Sequence, residues 1–148
     1  MVDGGISKIG IESTVLNLVN KVCILRPGII TPKQIENVLK TKLKILTKQK
    51  IIKSPGLMKK HYSPGIPMYI NKIKCPDKYA FITFGSKYPV TRNSFNLSRK
   101  SNLNDAAKNL YKFFRSIKKR GYKKIYVSKI PNTGVGIAIN DRLKRASK

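Results

Sequence analysis

The alternation of apolar and polar positions begins with two β-rich runs near the N-terminus. Residues 11–19 and 22–25 are rich in β-branched and aliphatic side chains, and the polar pair Asn20-Lys21 separates them. Two such runs with a two-residue polar break between them are typical of a β-hairpin. The pattern therefore predicts two paired strands at the start of the chain.

A helix start follows the second run. Thr31 is a suitable N-cap, Pro32 fits the first helical position, and Gln34 stands where a capping box needs a polar side chain. The expected apolar stripe of this helix consists of Ile35, Val38, Leu39 and Leu46, with Lys42 interrupting the face. The pattern predicts a capped amphipathic helix.

Turn-forming residues then divide the chain. Two Ser-Pro-Gly turns bracket the only histidine, His61. Because Pro and Gly clusters interrupt helices and strands, residues 54–66 are expected to be an irregular linker. The linker separates a first part, residues 1–53, from a second part, residues 67–148.

The second part alternates strands with helices. Short apolar runs at 68–70, 79–84 and 124–130 predict strands, and a final helix is expected over 137–146. The clearest helix lies before the last of these strands and has one apolar face, formed by Leu103, Ala106, Ala107, Leu110, Phe113, Phe114 and Ile117, with Asn102 as N-cap and Gly121 as its stop. This order of elements indicates an α/β layer with a largely parallel sheet.

Charge is the feature in which the chain departs most from an average protein. It carries 32 Lys and Arg against 6 Asp and Glu, which gives a formal net charge of +26. A polyanionic partner and a lysine-rich solvated surface are both consistent with this excess. Few aromatic residues stand between the basic ones along the sequence, so we expect weak, salt-sensitive attachment to RNA without selectivity.

The cysteines and the apolar runs narrow the class of protein. Cys23 and Cys75 lie far apart and the chain has one histidine, so neither a zinc site nor a disulfide framework is indicated, and buried thiols are expected. No apolar run approaches the roughly 18 residues that span a bilayer, and the N-terminus does not resemble a signal peptide. The sequence predicts a cytoplasmic protein with no membrane contact.

Several residues are candidates for chemistry, each with a structural alternative. Ser13 could face a polar ligand or be an ordinary strand residue, and Arg26 could bind a carboxylate or phosphate or be a solvated turn residue. His61 could be a general base, but a packed linker histidine is favoured because no partner stands at an interpretable spacing. Segment 134–136, Gly-Val-Gly, lacks the third glycine of a dinucleotide-binding turn, so structural glycines are favoured there.

Four short segments, taken together, resemble one known family. They are Gly-Ile-Glu-Ser-Thr-Val at 10–15, Ile-Leu-Arg-Pro-Gly at 24–28, Ser-Pro-Gly-Leu-Met-Lys-Lys-His-Tyr-Ser-Pro at 54–64, and Gly-Val-Gly-Ile-Ala-Ile-Asn-Asp-Arg-Leu at 134–143. In order and spacing they resemble the long, two-domain form of the YrdC-like threonylcarbamoyl-AMP synthases. The resemblance implies the tail of a YrdC-like α/β catalytic domain, a linker, and a small Rossmann-like α/β domain.

The resemblance also implies a reaction and a set of site residues. The family is a nucleotidyltransferase that makes threonylcarbamoyl-AMP from L-threonine, bicarbonate and ATP, releasing pyrophosphate. Mg²⁺ enters with ATP, no prosthetic group is implied, and the link to tRNA is indirect, through threonylcarbamoyladenosine modification. On this resemblance Ser13 contacts L-threonine, while Arg26 and Tyr62 contact ATP.

The family's catalytic domain begins with a long segment that has no counterpart before Gly10. The resemblance implies that this segment carries a Lys-x-Arg phosphate-binding element and a Ser-x-Asn element. Two hypotheses follow. The chain is either a synthase part that is inactive without an N-terminal partner, such as a separate chain, or a basic RNA-binding or regulatory module without catalysis.

Overall fold

The computed structural model describes residues 9–46 and 63–147, and the first of these ranges forms a three-stranded sheet. Its strands are β1 (Val15–Asn17), β2 (Cys23–Arg26) and β3 (Lys44–Ile45), in the order β1-β2-β3. β1 is antiparallel to β2, which confirms the predicted hairpin, and β3 is parallel to β2. The observed strands are shorter than the apolar runs that predicted them.

Helix α1 (Pro32–Leu39) connects β2 to β3 and begins with the predicted capping box. The backbone amide of Thr31 donates to Gln34 Oε1 at 2.8 Å, and the Gln34 amide donates to Thr31 Oγ1 at 3.4 Å. The predicted apolar stripe is wrong beyond Ile35. The helix ends because Lys40 adopts a left-handed conformation, so Leu46 lies outside it and Val38 is 79% exposed.

The second range, 63–147, forms a four-stranded sheet in which every pair of neighbours is parallel. The strands are β4 (Met68–Tyr69), β5 (Ala80–Thr83), β6 (Ser94–Asn96) and β7 (Ile125–Val127), in the order β4-β7-β5-β6. The predicted parallel α/β layer is confirmed. The sequence did not predict β6, because its only apolar residue, Phe95, stands between two polar ones.

Two helices cover one face of this sheet. Helix α2 (Leu103–Lys119) begins at the predicted cap, where Asn102 Oδ1 accepts from the amides of Asn104 and Asp105. Helix α3 (Gly136–Ala146) packs beside α2. The core consists of apolar residues of both helices together with the sheet residues that point toward them, and Ile11 from the first range joins it.

Two further predictions concern the cysteine thiols and membrane-spanning helices. Cys23 is buried, as predicted, whereas Cys75 is only half-buried, and neither is in a disulfide. Among the residues that the structure describes, no helix combines the length and the apolar character needed to cross a membrane.

Candidate functional site

The fold brings Ser13 and Arg26 into direct contact. Ser13 lies in the extended segment before β1, and Arg26 is the last residue of β2. Arg26 Nη2 donates to Ser13 Oγ and Arg26 Nε donates to the Ser13 carbonyl, each at 3.2 Å. Ser13 is exposed whereas Arg26 is only 9% exposed, so Arg26 is not the solvated turn residue of the structural alternative.

A glycine explains why these two segments can lie so close together. A Cβ atom at Gly28 would overlap the backbone of Glu12, Ser13 and Thr14. The next hydroxyl along the chain is used structurally, because Thr14 Oγ1 donates to the Ile30 carbonyl at 2.6 Å. Of the two neighbouring hydroxyl residues, Ser13 is therefore the exposed one.

A buried arginine of the second range contacts the residues that flank the Ser13-Arg26 pair. Arg142, on α3, is fully buried. Its Nε lies 2.8 Å from Glu12 Oε2, and its Nη2 donates to the Pro27 carbonyl at 3.0 Å. Glu12 directly precedes Ser13, and Pro27 directly follows Arg26. Arg142 thus fixes the backbone on both sides of the Ser13-Arg26 contact.

The Glu12 carboxylate is the second partner in this arrangement. Burial by itself raises the pKa of Glu12, but the hydrogen bond and charge of Arg142, together with the Tyr111 hydroxyl, outweigh it and lower the pKa. Tyr111 Oη donates to Glu12 Oε1 at 3.0 Å. Asp141 Oδ2 also lies 2.7 Å from Arg142 Nη1, so the buried guanidinium has two carboxylate partners.

Sequence reasoning missed this arginine. Arg142 stands among the basic residues at the end of the last helix, where a favourable interaction with the helix dipole is an adequate explanation. The only sequence signal was its place in the segment Asn-Asp-Arg-Leu at 140–143, which is one of the four family-like segments. Its partner Glu12 lies 130 residues away, a separation that local patterns do not register.

Two of the sequence candidates lie outside the described residues. They are His61 and Tyr62, so the proposed contact of Tyr62 with ATP stays a prediction. The Gly-Val-Gly segment at 134–136 lies within the described residues. A Cβ at Gly136 would overlap the Pro131 carbonyl oxygen, which confirms that close packing requires this glycine.

An open cleft of about 820 Å³ separates the first range from the start of α2. Thr31 and Gln34 line one side, and Asn102 and Lys108 line the other. Thr31, Gln34 and Asn102 already serve as helix caps. Because its polar groups are largely committed to those caps, the cleft is a weaker candidate than the Ser13-Arg26 pair.

The fold and the site define a class of protein. It has an α/β domain with a parallel sheet, and a buried arginine of this domain contacts a smaller sheet region that carries a serine-arginine pair. Residues 30–148 match the family described as "Threonylcarbamoyl-AMP synthase, C-terminal domain". The chain belongs to this family.

Relatives and a solved structure extend the match to nearly the whole chain. Threonylcarbamoyl-AMP synthase of Bacillus subtilis (strain 168) is 31% identical over 99% of this chain, and that of Pyrococcus abyssi (strain GE5 / Orsay) is 28% identical over 99%. The crystal structure of P. abyssi Sua5 complexed with L-threonine superposes with a TM-score of 0.81 at 26% identity over 98% of this chain.

The match is to only part of each relative. The chain spans 48% of the length of both the B. subtilis and the P. abyssi synthases, and 48% of the solved P. abyssi chain. The chain therefore spans about half the length of these relatives.

Proposed function

We propose that this chain acts as the C-terminal part of an L-threonylcarbamoyladenylate synthase. The reaction joins L-threonine, bicarbonate and ATP into threonylcarbamoyl-AMP and releases pyrophosphate, and the product serves tRNA modification. The direct contact between Ser13 and Arg26 is the observation that carries the proposal. The compartment we expect is the cytoplasm, where ATP and tRNA are available.

The two side chains suit the two substrates. The product links a threonine-derived carbamate to AMP, so the amino acid and the ATP phosphates must meet at one point. A serine hydroxyl can orient a zwitterionic amino acid, and an arginine fork can hold a phosphate through charge-assisted hydrogen bonds. With Ser13 Oγ 3.2 Å from Arg26 Nη2, both substrates would be held next to each other.

The roles assigned to Ser13, Arg26 and Tyr62 belong to this proposal. Ser13 would bind L-threonine, which agrees with the L-threonine complex of the P. abyssi relative. Arg26 would bind an ATP phosphate, and Tyr62 would contact the nucleotide. Mg²⁺ would arrive as part of the ATP substrate complex.

Exposed apolar side chains indicate that the first range, residues 9–46, packs against a partner. Eleven large apolar side chains are exposed among the described residues, and eight of them lie in residues 9–46. Exposed apolar surface of this density is typical of a region that packs against another part of a protein. We propose that it packs against the other half of the synthase, on the same polypeptide or on a separate chain.

The test is threonine-dependent release of pyrophosphate from ATP, measured with bicarbonate and Mg²⁺. The 148-residue chain alone should give no release, because removing even one preorganised donor can lower a rate by about 10²–10³. A polypeptide that carries the N-terminal half of a two-domain synthase should restore it. Release by the chain alone would contradict the proposal that it needs that half.

The role of Arg26 is tested in the restored system. Arg26→Ala should abolish release, because the proposed phosphate contact is lost. Lys44→Ala, which removes an exposed cation from the neighbouring strand β3, is the matched control and should leave the rate within about twofold. Equal rates for the two variants would show that Arg26 does not bind the phosphate.

A further inference from the structure

The solvent-facing side of α2 carries a row of positive charges. Residues three or four positions apart on a helix lie one above the other on the same face. Four exposed cations of α2 follow this spacing, and we call them the basic row: Lys108, Lys112, Arg115 and Lys119. The opposite side of the helix is buried in the core, so the basic row is the side that α2 presents to solvent.

The basic row is not balanced by acidic residues of its own helix. Asp105, in the first turn, is the only acidic residue of α2. Among the described residues, none of the four cations lies within ion-pair distance of a carboxylate. Like charges four positions apart destabilise a helix, so the row opposes the formation of α2. A partner of opposite charge would offset this repulsion.

The shape of the basic row favours a long anion over a small one. With a rise of about 1.5 Å per residue, neighbouring cations are about 4.5–6 Å apart along the helix axis and the row spans about 16 Å. Lys108, at one end, lines the cleft of about 820 Å³, and the other three cations are exposed outside it. A small anion would reach one or two of these charges, whereas a polyanion lying along α2 would contact all four.

The surroundings of the basic row favour a nucleic acid over a protein partner. Within the described segment 103–119, no large apolar side chain is exposed. Protein interfaces have an apolar centre, which this surface does not offer. The row consists of lysine and arginine, without an aromatic ring on which an unpaired base could stack. These features favour the backbone of a double helix.

The composition of the row also favours RNA over DNA. A helix that reads DNA sequence places arginine and amide side chains on base edges in the major groove. Double-stranded RNA is recognised mostly through its shape and its phosphates. Three lysines and one arginine on a helix that packs on the sheet beside α3 suit contacts with phosphates.

We propose that the basic row binds the phosphate backbone of double-stranded RNA. The ammonium and guanidinium groups pair with phosphates along one strand, which positions the RNA without reading its sequence. This surface is independent of the Ser13-Arg26 pair. Net charge alone predicts that lysines anywhere on the surface contribute equally to RNA binding, whereas the basic row predicts that their position matters.

The first experiment compares the basic row with an equal charge elsewhere, using the full 148-residue chain and a fluorescein-labelled 20-base-pair RNA duplex. The row variant combines Lys108→Gln, Lys112→Gln, Arg115→Gln and Lys119→Gln. The control variant changes exposed lysines of the loops that follow β4 and β5, and combines Lys72→Gln, Lys74→Gln, Lys78→Gln and Lys87→Gln. The row variant should bind about tenfold more weakly or worse, because its phosphate contacts are lost. The control variant should stay within about threefold, because distant charges are screened by salt.

The salt dependence of binding is the second measurement. In the row variant, the slope of log affinity against log salt should be shallower by about 3, since each phosphate contact contributes roughly 0.7 for single strands to 0.9 for B-form duplexes. Lys112→Gln with Arg115→Gln should give about half of this change, and the control variant should keep its slope within about 1 of the unmodified chain. Thermal unfolding should show a row variant no less stable than the unmodified chain, because glutamine is a comparable helix former and like-charge repulsion within α2 is relieved.

Three results would overturn the proposal. One is a row variant that binds the RNA duplex as the unmodified chain does. Another is an equal loss of affinity in the row and control variants, which would show that net charge rather than the basic row binds RNA. The third is tighter row-dependent binding of poly-L-glutamate or of a DNA duplex of the same sequence, which would assign the row to an acidic protein or to DNA.

Discussion

A few polar side chains of this protein are buried or half-buried, and their surroundings differ strongly. Arg142 is fully buried with two carboxylates and a carbonyl as partners. Cys75 is half-buried next to an acid. A buried charge is tolerated when it is paired, while a partly buried thiol keeps its proton because burial disfavours the charged thiolate. Each case gives a measurable consequence.

Cys75 should react slowly with alkylating reagents. Burial, helped by the nearby Asp77 charge, raises the pKa of its thiol from 9.0 to about 11. Since the thiolate is the nucleophile, a Cys23→Ser variant should be alkylated by iodoacetamide at pH 8 roughly 100-fold more slowly than a free thiol. The reaction should accelerate as the pH rises toward 11. A rate equal to that of the urea-unfolded chain would contradict the raised pKa.

At the scale of elements, the carboxyl ends of the parallel strands carry a polar row. Thr83 at the end of β5 and Asn96 at the end of β6 are register partners, and Ser128 directly follows β7. In residues 9–46 and 63–147, the structure gives no partner for Thr83 Oγ1, Asn96 Oδ1 or Ser128 Oγ. A buried hydroxyl without a partner destabilises the folded state.

Thr83→Val should therefore raise stability. The substitution keeps the side-chain shape and removes the unpartnered hydroxyl, so the free energy of unfolding should increase by about 1 kcal/mol. The matched control is Ser98→Ala, because Ser98 is also buried but its Oγ accepts from the Asn102 amide at 3.1 Å. That change should lower stability by about 1 kcal/mol. Urea unfolding measures both, and a loss of stability in the valine variant would mean that the Thr83 hydroxyl has a partner.

At the scale of the whole molecule, a polar cluster joins the two sheets. Glu12 reaches from the small sheet to Arg142 and Tyr111 of the second range, and Ile11 enters the core beside them. Stability and site geometry are therefore coupled, since the contacts that dock the two parts also flank Ser13 and Arg26. Loss of these contacts should affect both.

Arg142→Met should lower the free energy of unfolding by about 3 kcal/mol. The change leaves Glu12 and the Pro27 carbonyl without their buried donor, and removing one partner of a buried pair is strongly destabilising. On the roles proposed for Ser13 and Arg26, misplacing these two residues should also weaken the binding of L-threonine and ATP in the system restored with an N-terminal half. Lys144→Met, an exposed cation two residues further along α3, is the control and should change neither.

The Glu12-Arg142 pair should also make stability depend on pH. The pKa of Glu12 is lowered in the folded chain, so its contribution is present above the ordinary carboxyl pKa of 4.5 and is lost as the pH falls below it. Glu12→Gln should therefore reduce the urea midpoint at pH 7, and its difference from the unmodified chain should shrink on acidification. A difference that stays constant with pH would contradict this coupling.

Local chemistry let the sequence determine much of the fold. The Thr31-Gln34 capping box, the Asn102 cap and the apolar face of α2 depend on residues within a few positions of each other, and all are confirmed. The resemblance of four short segments also identified the family, which residues 30–148 match. The caps and the apolar face are each complete within one stretch of chain, and the family signal lies in the order and spacing of segments along the chain, so neither needs a tertiary contact to be detected.

Only the tertiary structure decided which distant residues meet. β6 forms because its pairing with β5 and the burial of Phe95 outweigh a weak local pattern, and α1 stops at Lys40 although apolar positions continue. The Glu12-Arg142 pair and the ring contacts of Tyr126 with Tyr69 and Tyr79 join residues far apart in sequence. Their partners are set by strand order and helix docking, and a one-dimensional pattern of polarity carries no information on either.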